Sequence, residues 1–206
     1  MARFSLEGGA YAWEASRKSL IPVSGVPLVV SIVKLLKQVF EELIVVTDDP
    51  RLAVATGRTM TIADRVTGVG PLGGIHAGLC ATSKAAVFFV ACDMPFLDPD
   101  LIRRQIEYYK QVHCDALVPR VGTLIEPLHA VYNTDLVACL ERYFEPPRQP
   151  GSRRASRKTY SIRAFLGQVN SSYFDLPDLA RYRRAFENLN TPLDFRKVGA
   201  DPRDAR

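Results

Sequence analysis

The sequence predicts an α/β fold: a Rossmann-like, mostly parallel sheet flanked by helices. Short apolar runs alternate with segments of helical periodicity, the pattern of parallel strands joined by crossover helices. One run, "AAVFFVAC" (85–92), is apolar throughout, as a central strand covered on both faces must be. Several runs also end in acidic or glycine-rich turns, at the edge where open α/β sheets bind ligands.

In chain order, the first strand is expected at "RFSL" (3–6), ending in the turn at Gly8 and Gly9. "VPLVVSIVKLLKQVF" has apolar residues at helical spacing, with Pro27 near its first turn. "ELIVVT" reads as a buried strand, "DDPR" as a turn, and "TMTIAD" as a strand ending at Asp64. "GVGPLGG" is a breaker-rich loop leading into the helix "GIHAGLCATSK". After "AAVFFVAC", "DMPFLDPD" opens a helix, with Asp98 as cap and Pro99 at its first position. "DALVPR" and "IEPLHAVY" are strands, followed by helices at "NTDLVACLERYF" and "SIRAFLGQV" and a strand at "SSYFDL". No internal repeat interrupts this order, and residues 1–198 are expected to form one domain with 199–206 as a tail.

The 206 residues are 47% hydrophobic and 24% charged, enough for a real core. Cys80, Cys92, Cys114 and Cys139 form no C-x-x-C and read as buried thiols of a reducing compartment. With no apolar run long enough to span a bilayer and no signal-peptide core, a cytoplasmic protein with no membrane partner is expected. The net charge of +5 is local, because six basic residues and no acidic one lie between Arg148 and Arg163, and the rest of the chain is at −1. That segment is either a solvated loop or a binding loop for a phosphorylated anion. No aromatic residue interleaves it before Tyr160, so nucleic acid is not the expected partner.

Three side chains, Lys18, Asp64 and Asp93, fall just past expected strand ends or in the loop one opens. Asp93 follows the most apolar strand, and Pro95 stops its continuation. A carboxylate there suits Mg²⁺, which takes one or two protein carboxylates and completes its shell with phosphate and water. Asp64 precedes Gly68, Gly70 and Gly73, whose formal G-x-G-x-x-G spacing is interrupted by Pro71. It reads either as a second metal or ribose ligand or as a turn residue. Lys18 offers a point charge for phosphate. His76, His113 and His129 lack metal-ligand spacing, and His129 reads as a core histidine. No nucleophile elbow or zinc-protease motif occurs.

Taken together, "DRVTGVGPLGGIHAGL", "VFFVACDMPFL", "DALVPR", "EPLHAVY", "SIRAFL" and "ENLNTPLDF" resemble molybdenum cofactor guanylyltransferases of the MobA type. The resemblance covers about residues 5–196 and implies a nucleotide-diphospho-sugar/nucleotidyltransferase type of fold. It also implies transfer of GMP from GTP to molybdopterin, with Mg²⁺ as cofactor and pyrophosphate released. Other cofactor-biosynthesis or molybdoenzyme proteins become possible partners. By the same resemblance Leu6, Glu7, Gly8, Gly9 and Lys18 line the nucleotide, Asp48 faces the purine, Asp64 positions the nucleoside, and Asp93 holds the metal. Lys18 and Asp93 are the expected catalytic pair. The first motif departs from the family: Glu7 stands for alanine, Tyr11 for serine, and Trp13, Glu14 and Ala15 for arginine, methionine and glycine. Loss of the arginine removes a planar phosphate donor, and the two glutamates add negative charge. Two other readings therefore stand beside the enzyme: a non-catalytic relative that binds the cofactor or a partner, and a transferase with another base or acceptor.

Overall fold

A computed structural model of the chain describes residues 10–14, 17–57, 59–145, 160–176 and 182–200, with side chains from Lys18 onward. The strands are β1 (Ala10–Glu14), β2 (Pro22–Val23), β3 (Val26–Pro27), β4 (Glu42–Val46), β5 (Met60–Ile62) and β6 (Ala86–Val90). They continue with β7 (Ala116–Val121), β8 (Leu124–Ile125), β9 (His129–Asn133) and β10 (Ser171–Asp175). The α-helices are α1 (Leu28–Leu36), α2 (Pro50–Thr56), α3 (Pro71–Ala81), α4 (Pro99–Gln111), α5 (Leu136–Phe144), α6 (Ile162–Leu166) and α7 (Pro192–Lys197).

The main sheet runs β10-β7-β9-β6-β1-β4-β5, with β8 paired to β7 and β2-β3 forming a separate hairpin. β5, β4, β1 and β6 are mutually parallel, and β10 is parallel to β7. β9 runs antiparallel between β6 and β7. From β1 the chain moves outward to β4 and β5, then returns to β6 on the other side of β1. This reversal of direction is the switch point at which open α/β sheets hold ligands.

Side chains alternate between two cores along the central strands. Leu43 and Val45 of β4, with Ala86, Phe88 and Val90 of β6, face α1, α2, α4 and the C-terminal segment. Ile44 and Val46, with Val87 and Phe89, face α3, α5 and α6. All five residues of β6 are buried, which is why its sequence shows no polar alternation. Burial of each large apolar side chain here contributes about 1.5–3 kcal/mol, so these two layers hold the sheet's edge loops in place.

The first strand differs from the expected one. Ala10–Glu14, read from the sequence as part of a phosphate loop, pairs with β4 from Ala10↔Glu42 to Glu14↔Val46 and with β6. Tyr and Trp alternating with alanine form a better strand than loop, and two parallel neighbours satisfy the backbone. The "RFSL" segment, with Leu6, Glu7, Gly8 and Gly9, lies outside the described residues.

A second difference is α2, where the sequence suggested only a turn. Asp49 caps it, accepting from Arg51 N at 3.0 Å, and Pro50 occupies the first helical position. Helix α3 also begins earlier than expected. Gly70 takes φ +63°, Pro71 starts the helix, and Gly73 and Gly74 lie in its first turn. Asp98 caps α4 as expected, accepting from Asp100 N and Leu101 N.

One polar pair sits inside the core. Gln105 of α4 is fully buried and donates to Leu117 O at 3.2 Å and His129 O at 3.1 Å. It thereby bridges β7 and β9 just beyond their last paired residues, Leu117↔Val131. His129 Nδ1 lies 3.2 Å from Gln105 Oε1 and so acts as donor, while Phe88 and Phe186 meet the ring edge-on. Burial lowers the His129 pKa from 6.5 to about 4, and Nε2 has no hydrogen-bond partner among the described residues. A histidine held neutral in this way stabilises the fold fully above its ordinary pKa, and the contribution is lost as pH falls toward the folded value. We expect unfolding free energy to drop by about 3 kcal/mol through that window from this residue alone. Denaturant midpoints followed across the interval should show a shallower pH dependence in His129→Phe; an unchanged dependence would refute this.

Candidate functional site

Because β6, β1, β4 and β5 are parallel and adjacent, the residues after their carboxyl ends share one edge. Lys18 follows β1, Asp48 follows β4, Asp64 follows β5 and Asp93 follows β6. The structure therefore brings all four together along the same edge. With about 4.8 Å between strands, the Asp93 strand and the Asp48 strand stand about 10 Å apart, with β1 between them.

At the β6 side, Asp93 is half-buried, and its Oδ1 is buried without a hydrogen-bond partner among the described residues. Burial pushes its pKa above the ordinary carboxylate value, opposed by its own backbone hydrogen bond and by the Lys18 charge. An unpaired buried carboxylate oxygen costs on the order of 1–3 kcal/mol or more, so the position favours a cation or a strong donor. Lys18 is exposed, and its Nζ donates to Asn190 O at 2.9 Å.

The segment 188–191 completes this side. Leu189 N donates to Asp93 O at 2.8 Å, and Asn188 Oδ1 is a second buried acceptor without a described partner. Thr191 and Asp194 form a reciprocal cap at the start of α7, which fixes the segment's path. Asn188 was not among the residues singled out from the sequence. "ENLNTP" was visible there only as a family feature, and its T-P-x-D portion is also a readable helix start.

At the β4 side, a cavity of about 860 Å³ is lined by Thr47, Asp48, Asp49, Arg51, Asp64 and Thr67, with Gly68 and Gly70. Asp48 is exposed on its wall. Asp49 holds Arg51 through Nε at 3.0 Å and Nη2 at 2.6 Å. Asp64 Oδ1 accepts from Val66 N at 3.0 Å. Its carboxylate rests on the first turn of α3, where a Cβ on Gly73 would stand 2.4 Å from Oδ2 and 2.8 Å from Val66 O. Glycine at this position lets a carboxylate approach the positive end of a helix.

Other sequence candidates lie elsewhere. His76 is buried between α3 and α5, with Nε2 3.4 Å from Glu141 Oε1 and 3.6 Å from Cys80 Sγ. No group of three or more metal-ligating side chains occurs among the described residues. Cys92 and Cys114 are buried as expected, whereas Cys80 and Cys139 are only partly so. Of the basic stretch, 148–158 lies outside the described residues, and Arg163 is exposed on α6. No described helix is long and apolar enough to cross a membrane.

Comparison with known proteins meets this geometry. The family described as MobA-like NTP transferase domain matches residues 13–163. This chain belongs to that family.

Among MobA-like relatives, a probable molybdenum cofactor guanylyltransferase of Peptoclostridium acidaminophilum is 32% identical over 204 residues, 93% of this chain and 85% of its own. Another, from Pelotomaculum thermopropionicum, is 33% identical over 196 residues, 94% of this chain and 89% of its own. The fold is shared with molybdopterin-guanine dinucleotide biosynthesis protein A from Archaeoglobus fulgidus, with TM-score 0.73, 24% identity and coverage of 92% and 96% of the two chains. It is also shared with a CMP:2-keto-3-deoxy-manno-octonic acid synthetase solved with CTP, at TM-score 0.67 and 16% identity, covering 92% and 96%. The α/β nucleotidyltransferase architecture read from the sequence is therefore correct.

The contact between Asp64 and Gly73 can be tested directly. Gly73→Ala should force either the carboxylate or the Val66 backbone to move. The expected cost is about 1–3 kcal/mol of stability, the usual range for overpacking. A thermal melt of Gly73→Ala equal to that of the wild type would show that the close approach is not maintained.

Proposed function

We propose that the protein transfers GMP from GTP to the terminal phosphate of molybdopterin, releasing pyrophosphate. The observation that carries this reading is the half-buried Asp93 carboxylate at the switch point of the sheet, close enough to feel the Lys18 charge, with its buried Oδ1 lacking a hydrogen-bond partner among the described residues. The names of the MobA-like relatives support the choice of substrates.

The residues fit a divalent cation: one buried carboxylate oxygen lacks a partner, and phosphate and water can supply the other ligands. Mg²⁺ bound there would neutralise charge developing at the α-phosphoryl group and on the leaving pyrophosphate. Asp93 holds that ion, and Lys18, positioned by Asn190 O, adds positive charge on the phosphates. An acceptor phosphate oxygen forms the new bond to the α-phosphorus as the bond to the bridging pyrophosphate oxygen breaks. The attacking group is already anionic, so no protein base is needed, and positioning with electrostatics carries the reaction. Asp64 orients the ribose and Asp48 faces the base. Burial of Asn188 Oδ1 beside this junction makes it a further group for the bound nucleotide or its hydrated cation.

Asp93→Asn removes the charge while keeping the shape. We expect pyrophosphate release from GTP, Mg²⁺ and molybdopterin to fall at least about a hundredfold, since metal-assisted charge stabilisation is worth several kcal/mol. Turnover by Asp93→Asn at the wild-type rate would refute the assignment. Wild-type protein that binds GTP without turnover would instead identify a non-catalytic relative.

A further inference from the structure

Arg51 has no role in the site as read from the sequence, yet it lines the cavity together with Asp48. Its guanidinium is fixed. Asp49 accepts from Arg51 N, Nε and Nη2, so one carboxylate holds both the backbone and the side chain of the first turn of α2. Asp49 N in turn lies 3.2 Å from Thr47 Oγ1, its acceptor. Only two of the five guanidinium N–H groups point at Asp49, leaving the Nη1 edge of the fork for a ligand. The arginine side chain remains 47% exposed, so that edge is accessible.

The charges decide which part of a nucleotide meets this wall. The cavity lining carries three carboxylates, Asp48, Asp49 and Asp64, against one guanidinium, Arg51. Such a wall repels a triphosphate. On the other side of β1 one lysine, Lys18, balances one carboxylate, Asp93, and that end becomes cationic once Asp93 holds the proposed divalent ion. A nucleotide spanning the two therefore sets its neutral base against Asp48 and Arg51.

The hydrogen-bonding pattern selects among bases. A carboxylate is acceptor-only and a guanidinium donor-only, so Asp48 followed by Arg51 presents two acceptors and then a donor. Guanine's N2 amine, N1–H and O6 form the complementary edge of two donors and an acceptor. Adenine offers a donor and an acceptor in the wrong places, and cytosine offers two acceptors and one donor. We propose that Arg51, held by Asp49, is a specificity-determining residue that donates to the guanine six-keto oxygen while Asp48 accepts from N1–H and the two-amine. This deepens the GTP reading and rests on it. Because Asp49 fixes the fork in advance, little side-chain freedom remains to be lost on binding.

The test is calorimetric titration of wild type, Arg51→Ala and Arg51→Lys with GTP, ATP, CTP and 2,6-diaminopurine riboside triphosphate, all with Mg²⁺. Wild type should prefer GTP. In Arg51→Ala the preference for GTP over the diaminopurine nucleotide, which keeps the two-amine but replaces the keto oxygen by an amine and N1–H by a bare acceptor, should fall about tenfold or more, the part due to N1–H and Asp48 remaining. Arg51→Lys should restore part of it, and thermal melts of all three should agree within a few degrees. An unchanged preference in Arg51→Ala overturns the assignment and leaves the GTP reading standing. An equal loss of affinity for all four nucleotides would place Arg51 at the phosphates and also overturns it. Wild-type protein that binds none of them defeats the GTP reading and this inference together.

Discussion

A parallel strand cannot be reached by a hairpin. The chain must cross a face of the sheet to begin again at the same end, and each crossover here contains a helix. That constraint makes β6, β1, β4 and β5 finish at one edge. Lys18, Asp48, Asp64 and Asp93 are far apart in sequence, but none has to be brought in by a special contact. Each lies within four residues of the end of a parallel strand. The two apolar layers then convert the sheet into a rigid support, and α3 and α4 start from that same edge.

β9 is the exception, and it has a purpose in the topology. Running antiparallel beside β6, it places His129 level with Val90, close to the edge where Asp93 follows. β7 and β9 stop pairing beyond Leu117 and Val131, and a gap between strands exposes backbone groups that must be satisfied. Gln105 fills that need with both amide groups, and His129 supplies the matching donor. The same histidine ring supports Phe186, two residues before Asn188. A buried polar pair in one core thus packs against the segment that leads to Asn188 and Leu189.

How much of this was legible follows from what kind of signal each feature leaves. β6 and α4 were plain, because continuous apolar burial and an Asp-Pro helix start are local properties. The strand Ala10–Glu14 was not read, since the glycine pair drew attention from the alternation in "AYAWE". α2 was missed because Asp49-Pro50 serves equally as a turn and as a cap with proline at the first position. Strand direction leaves no periodicity, so the reversal of β9 could not be read at all. Asp93 and Lys18 were singled out from their positions after or near expected strand ends, and the structure places them after β6 and β1. Asn188 was not, because its place beside Asp93 depends on a contact between Leu189 and Asp93 across almost a hundred residues.

The same geometry fixes orientation before any specific bond forms. Lys18 and the unpartnered Asp93 oxygen sit on one side of β1, where a cation and phosphates are mutually stabilising. Asp48, Asp49 and Asp64 gather on the other side, where an anion is repelled and a neutral ring with donor groups is favoured. Buried acceptors such as Asp93 Oδ1 and Asn188 Oδ1 reduce the stability of the empty fold, and a ligand that satisfies them restores it by linkage. Under the proposed reaction, a dipolar ligand with an anionic end and a neutral end would therefore enter one way round. The reversal of strand order across β1 creates the two sides, and the residues at the strand ends give them opposite character.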